Sequence, residues 1–294
     1  YTGHPFQQGL EGICRQQMEA KLEENPALAK RLIPEFHPGC RRLTPGDGYL
    51  EAFYKDSVVC NWDPIVEITE KGIRTKAGAN KEVDMPAGVA VAPVPEGTVT
   101  EEEFDLIVCA TGFDTSFIPP WKMIGRKGAD LAQMWKSDPE AFCAVQVADM
   151  PNYFVFNGPN CPIAHGSVLT QVSWTADYIL KWADKMARQD IKSITPSDKS
   201  VRDWNVYTQL FLKRTVFGDK CRSWYKNGKM EGKVTGVYPG SILHFKEVLA
   251  RVGAEAFDVE WNHDNMWTCL GNGESERDQH GMGDLAYYMD EMKV

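Results

Sequence analysis

Two adjacent cations, Arg41 and Arg42, lie in the Gly- and Pro-flanked stretch FHPGCRRLTPGDGYLEAF. A guanidinium in such a loop either stabilises an anionic oxygen species or phosphate, through its permanent charge and fixed donor fork, or is simply a solvated surface arginine. The run FDLIVCATGFD stops at Ala110, Thr111 and Gly112, followed by Asp114. It reads as a sheet strand that delivers Thr111 and Gly112 beside a dinucleotide, with Asp114 fixing the turn, or as a buried strand with a tight exit. In GPNCPIAHGS, backbone donors and His165 precede a long helix whose dipole favours electron-rich groups, although His165 alone reads equally as a capping or packing residue. SWYKNG places Ser223, Trp224 and Tyr225 in a polar loop, where Trp224 either covers a pocket or packs back on the core. No G-x-S-x-G precedes a helix, so serine-hydrolase chemistry has little support.

These residues need elements to hold them. The run ending at Gly112 and a second one, NYFVFNGPN, read as buried strands finishing in Gly-containing loops, and in open α/β sheets ligands sit beyond the carboxyl ends of strands. Helical spacing predicts one amphipathic helix from about Leu10 to Leu32, stopped by Pro34, a short helix near Tyr49 to Tyr54, a long helix from Ser167 to Gln189, another from Val201 to Thr215, and a final turn at Asp284 to Met289. SVVCNW, DPIVEIT and GIRTKAG are β-prone runs, and the Glu70-Lys71-Gly72 turn suits an antiparallel hairpin in a small meander. Residues 80–103 read as a loop insertion around one more strand at Gly88 to Val94.

The 294 residues are 43% hydrophobic and 25% charged, ordinary globular composition with apolar mass for one large or two modest cores. A net charge of −9, with scattered rather than striped cations, argues against nucleic acid or an anionic membrane as partner. No apolar run reaches the roughly 18 residues of a membrane span and no signal pattern opens the chain, so the expected location is cytoplasmic. The eight cysteines include no C-x-x-C pair and the six histidines show no ligand spacing, so neither a metal site nor a disulfide framework is expected. The chain begins with Tyr1, so either residues have been removed or the sequence is a fragment.

Taken in order, PGCRRL, the hairpin with GIRT, IVCATGFD, PNYFVFNGPN with the following Pro and HGS, and SWYKNG resemble the C-terminal half of Baeyer–Villiger-type flavin-containing monooxygenases. The likeness is closest to fungal cyclohexanone-monooxygenase-like proteins of secondary metabolism, and it covers nearly the whole chain. The resemblance implies that Arg42, the second arginine of a C-[RK]-R motif, is catalytic, stabilising the flavin peroxide and positioning the nicotinamide. It implies that Ala110, Thr111, Gly112 and Asp114 lie near the flavin and the hinge between dinucleotide domains, and that Gly158, Pro159, Ser167 and Val168 pack against the flavin ring. Ser223 and Trp224 then belong to a loop that folds over bound NADPH and substrate. FAD and NADPH are the implied cofactors, and a small ketone, of polyketide or terpenoid type, the implied substrate.

The same family needs a G-x-G-x-x-G loop for each dinucleotide and an F-x-G-x-x-x-H signature between them, and none is present. The expected fold is therefore α/β: a partial FAD/NAD(P)-binding three-layer domain with an antiparallel β-meander and a helical C-terminal region. Residues 1–57 resemble the exit from the NADPH domain, 58–190 the second half of the FAD-binding domain with an insertion near 85–103, and 191–294 a helical and loop region. Three functional readings follow. The chain is a truncated FAD- and NADPH-dependent monooxygenase, inactive alone and holding little or no cofactor by itself. Alternatively it is a repurposed non-redox enzyme, a cyclase, aldolase or hydrolase-like catalyst. Or it is a non-catalytic subunit that completes a separate N-terminal half, its exposed sheet edge covered by that half or by self-association.

Overall fold

The computed structural model describes residues 2–44, 46–78, 95–164, 166–281 and 283–291. The strand expected at Gly88 to Val94 lies outside the described residues, as does His165. The chain divides into two compact units, residues 1–116 with 209–234, and residues 117–208 with 235–294. The α/β class is as expected, with helices combined with small antiparallel sheets.

The first unit opens with two helices, α1 (Pro5–Lys21) and α2 (Pro26–Leu32), where sequence periodicity predicts one. The break has a local cause. The Asn25 side chain accepts from Leu28 N at 2.9 Å, and Pro26 occupies the first helical position, so Asn-Pro starts a new helix rather than continuing the old one. Leu22 and Leu28, on either side of this break, are completely buried and pack with Leu50 of the short helix α3 (Tyr49–Ala52).

The expected meander is an antiparallel sheet in the order β1 (Ile65–Ile68), β2 (Gly72–Lys76) and β3 (Val99–Glu103). The β1–β2 turn is fixed by Thr69, whose hydroxyl accepts from Gly72 N at 3.0 Å. A side chain at Gly72 would meet the Glu102 carbonyl oxygen at 1.8 Å, so β3 can approach only a glycine. Arg74 in the central strand reaches Glu67 on one neighbour and Glu101 on the other, at 2.5 and 3.2 Å. SVVCNW forms no strand, because its residues pair with none of the three. The far end of the expected insertion supplies β3 itself.

The second unit is organised around α5 (Val168–Arg188), which follows α4 (Leu131–Met134). Helix α5 buries Gln171, Thr175, Tyr178 and Trp182, spaced four, three and four residues apart, which places them on one face. That face packs on strand β4 (Ile191–Pro196), its antiparallel partner β5 (Phe257–Trp261), and helix α7 (Ile242–Arg251), which contributes Phe245 and Leu249. Trp182 meets Phe257 edge-on with ring centroids 4.6 Å apart. Helix α6 (Asp198–Leu212) precedes α7, and α8 (Glu276–His280) and α9 (Tyr288–Glu291) follow β5. A smaller cluster of Leu131, Trp135, Val147 and Met150 is braced by Arg126, which bonds Asp149 at 2.8 Å and Asp258 at 2.7 Å.

Two further expected strands are absent among the described residues. Residues 105–113 belong to no strand, with Leu106 and Val108 each 78% exposed. NYFVFNGPN makes only an isolated bridge between Phe154 and Gln146. An apolar run marks a segment that wants burial, but a strand exists only where a neighbour completes its ladder, and no strand among the described residues does so here.

Candidate functional site

The structure joins two motifs that stand 181 residues apart in sequence. Cys40, at the head of the C-R-R motif, is disulfide-bonded to Cys221, two residues before Ser223. The expectation of no disulfide is therefore corrected: the pairing depends on the fold and leaves no spacing signature, although both cysteines stand directly before an arginine, in GCRR and KCRS. Beside it, Asp219 Oδ2 accepts from His37 N at 3.0 Å and lies 2.6 Å from His37 Nδ1. Burial raises the Asp219 pKa, but the bonds from His37 and from Lys220 N outweigh it, so the carboxyl titrates below its ordinary value. Gly39 completes the contact in a left-handed conformation (φ +96°), where a side chain would come within 3.1 Å of Val216.

Arg42 leaves this junction into solvent-exposed space and, with Arg15 and Arg41, lines a cleft of about 800 Å³ whose apolar wall includes Met18, Phe36 and Leu43. No carboxylate pairs with Arg42 among the described residues, so its charge is available to a ligand. On the other loop Ser223 is buried and caps the short turn Trp224–Lys226, its hydroxyl accepting from Tyr225 N at 3.2 Å. Trp224 is half-buried against Tyr225, with centroids 4.5 Å apart. Burial raises the Tyr225 phenol pKa while the nearby Arg42 charge opposes the rise, which places Arg42 and the S-W-Y loop within electrostatic reach. Lys226 is 1% exposed; its ammonium donates to the carbonyls of Asp219 and Met230, closing the loop from within. Burial lowers its pKa, against the pull of Asp219 and Glu231.

Ala110, Thr111, Gly112 and Asp114 also lie in the first unit, but in an exposed segment rather than at the end of a buried strand. Gly112 is left-handed (φ +88°), and Asp114 fixes the turn by accepting from Ser116 N at 2.9 Å, a bond that lowers its pKa. Phe113 is 94% exposed.

Gly158, Pro159, Ser167 and Val168 belong to the second unit. Gly158 and Pro159 are buried, and a side chain at Gly158 would meet the Ala144 carbonyl oxygen at 2.6 Å. Three polar residues that sequence reasoning did not single out hold this turn. Gln171 donates to Asn157 Oδ1, while Asn160 uses its backbone N to reach Thr235 O at 2.6 Å and its amide to reach Val237 O at 2.9 Å. Gln171 carries a sequence signal of sorts, a polar residue on the apolar face of α5. Ser167 is the N-cap of α5 but gives it no side-chain bond, and Val168 is its first residue, so the amide groups of the first turn are left without a side-chain cap. In the first unit the Arg42 guanidinium, unpaired among the described residues, suits anionic or electron-rich groups, and in the second unit the amino terminus of α5 does so separately. Among the described residues no group of His, Cys, Asp or Glu is arranged to hold a metal, and no helix is long and apolar enough to cross a membrane.

No family model matches the chain. It is 43% identical over 283 residues to the FAD-binding monooxygenase tazF of Aspergillus terreus, a match covering 95% of this chain and 46% of that protein. It is 36% identical over 281 residues to the FAD-binding monooxygenase stcW of Emericella nidulans, covering 96% and 43%. A closed crystal structure of cyclohexanone monooxygenase matches with TM-score 0.62 and 25% identity over 84% of this chain and 44% of the other. Cyclohexanone monooxygenase from Rhodococcus sp. Phi1 bound to NADP+ matches in fold, with TM-score 0.66 and 24% identity over 87% and 45%.

The chain is therefore homologous to the FAD-binding monooxygenases and has the fold of one portion of the Baeyer–Villiger cyclohexanone monooxygenases. It spans a little under half the length of the curated relatives it matches.

Proposed function

We propose that this chain carries the Arg42-bearing portion of an FAD- and NADPH-dependent monooxygenase that inserts oxygen beside a ketone in secondary metabolism. The observation that supports the reading best is Arg42 itself: an exposed guanidinium at a cleft, unpaired among the described residues, on a loop fastened to the S-W-Y loop. FAD supplies activation of oxygen and NADPH the reducing equivalents. Arg42 holds negative charge that develops on oxygen, because its own charge persists at any working pH and needs no reorganisation. Trp224 would cover bound NADPH, and Ser223 keeps Trp224 in place through the capped turn. In the second unit, the first-turn amides of α5 and the tight turn at Gly158 and Pro159 would hold electron-rich atoms of the flavin when it is bound. Thr111 and Gly112 approach the flavin once residues 105–113 gain strand neighbours, which the remainder of a full-length monooxygenase, or a separate half, supplies. By itself the chain is inactive in this reading, and its place is the cytoplasm. Residues 1–57 then belong to the exit from the NADPH domain, 58–190 to the FAD domain and 191–294 to the helical region.

A chimera tests this. The matching portion of the tazF monooxygenase is replaced by this chain, and the purified product is assayed for bound flavin, NADPH oxidation and ester or lactone formation from a panel of ketones. The expected result is a yellow protein that forms oxygenated product, and whose Arg42→Ala variant keeps its flavin but loses at least about a hundredfold in product formation. A flavin-loaded chimera that oxygenates no ketone refutes the activity, and an Arg42→Ala variant with undiminished product refutes the role of Arg42.

A further inference from the structure

The disulfide between Cys40 and Cys221 sits where the two functional loops of the first unit meet, and no step of the proposed reaction uses it. Both half-cystines are shielded from solvent, Cys40 completely and Cys221 to 99%. Arg42 is two residues beyond Cys40, and Trp224 is three beyond Cys221, so a bond between the cysteines limits how far the guanidinium and the indole can separate. Three other contacts converge on the same place: His37 with Asp219, Gly39 with Val216, and the Lys226 ammonium on the Asp219 carbonyl. These contacts hold the two loops together around the cystine.

We propose that Cys40–Cys221 is a buried latch that positions the Arg42 loop against the Ser223–Trp224 loop, closing by thiol–disulfide exchange and, once closed, sheltered from small thiols. The closing step balances with a low-molecular-weight disulfide such as oxidised glutathione. One cysteine thiolate attacks a sulfur of glutathione disulfide, which releases one glutathione thiolate and leaves a mixed disulfide on the protein. The second cysteine, as thiolate, attacks the protein-side sulfur, expelling the second glutathione and forming the cystine. Two protein thiols become one disulfide as one glutathione disulfide becomes two glutathione thiols. Opening reverses these steps and requires a thiol to reach sulfur atoms that the closed loops cover, so it waits on local opening of the loops. The latch is independent of the reaction assigned to the chain, since its assays read disulfide state and loop motion rather than turnover.

The full chain is equilibrated in glutathione disulfide buffer, alkylated in denaturant without reductant and analysed by mass spectrometry. Six alkylated cysteines and a Cys40–Cys221 cross-linked peptide are expected; eight alkylated cysteines, or a different pair, overturn the proposal. Reduction by dithiothreitol is then timed for the folded chain and for the chain in urea, with a folded-state rate at least about a hundredfold slower expected and equal rates overturning the shelter. Last, amide hydrogen exchange is compared between the oxidised chain and the Cys40→Ser/Cys221→Ser variant. Exchange at least about tenfold faster, confined to residues 37–44 and 219–230, is expected, and unchanged exchange there removes the positioning role. If the variant does not fold, the reduced, unalkylated wild type held in dithiothreitol supplies the same comparison, and its loops must show the same acceleration.

Discussion

Gly158→Ala isolates one packing contact in the second unit. Gly158 is buried, and its Cβ would lie 2.6 Å from the Ala144 carbonyl oxygen and 2.7 Å from Val155 Cγ1. Ordinary contacts between such atoms fall at roughly 3.5 Å or more, so the methyl group intrudes by about 0.8–0.9 Å on both sides. One obstacle is backbone, with no rotamer to swing aside, and the turn is anchored by Asn160 bonded to Thr235 and Val237. Overpacking of this kind costs about 1–3 kcal/mol, and the rigid carbonyl argues for the upper end. At roughly 2–4 °C per kcal/mol for a protein of this size, the melting temperature should fall by about 6–12 °C. The control is Gly9→Ala, in the middle of α1, where an added Cβ meets nothing within 4 Å. That change should stabilise by roughly 0.5–1 kcal/mol, because alanine loses less backbone entropy than glycine in a helix. Both variants are read by differential scanning calorimetry and by urea titration. A Gly158→Ala chain that melts with the wild type would falsify the account of this turn.

Asp219→Asn should weaken the first unit at neutral pH and make no difference in acid. The carboxyl pKa is depressed on folding, so its contribution is present above the ordinary carboxylate range and disappears as pH falls through the folded-state value. Urea midpoints of wild type and variant should differ at pH 7 and draw together as the pH falls below the ordinary carboxylate range; a constant offset would show that charge is not the cause. Lys226 has the opposite linkage: its pKa is lowered on folding, so the unfolded chain holds the proton more tightly and stability should rise with pH just below lysine's ordinary value. Lys226→Met should abolish that slope in a series of urea titrations, and an unaltered slope would assign it elsewhere. Arg126→Met should cost about 1–2 kcal/mol, discounted for partial exposure, by leaving Asp149 and Asp258 without their shared partner. A double-mutant cycle with Asp258→Asn should recover part of that loss, and strict additivity would deny the coupling.

Local signals in the sequence are strongest where a few neighbouring residues suffice. The apolar face of α5 repeats at helical spacing, the Glu70-Lys71-Gly72 turn joins two adjacent strands, and both elements are present with boundaries close to those expected. The order of C-R-R, A-T-G-F-D, G-P-N and S-W-Y likewise pointed to the flavin monooxygenases, to which the chain is homologous. Helix α1 did not extend to Leu32, because periodicity averages over a window whereas a single Asn-Pro pair ends the helix within it.

Residues 105–113 show the converse limit. Their apolar character is plain in the sequence, but strand formation is a property of a pair, and no strand among the described residues pairs with them. The amino-acid order determined which segments favour helix or hairpin and which residues carry charge at a cleft. Only the tertiary structure decided that Cys40 meets Cys221, that His37 bonds Asp219, and that the Arg42 charge reaches Tyr225 of the S-W-Y loop. The reason is physical: a helix or tight turn is set by contacts within about four residues, while contacts closing a loop of 181 residues depend on the cooperative packing of everything between.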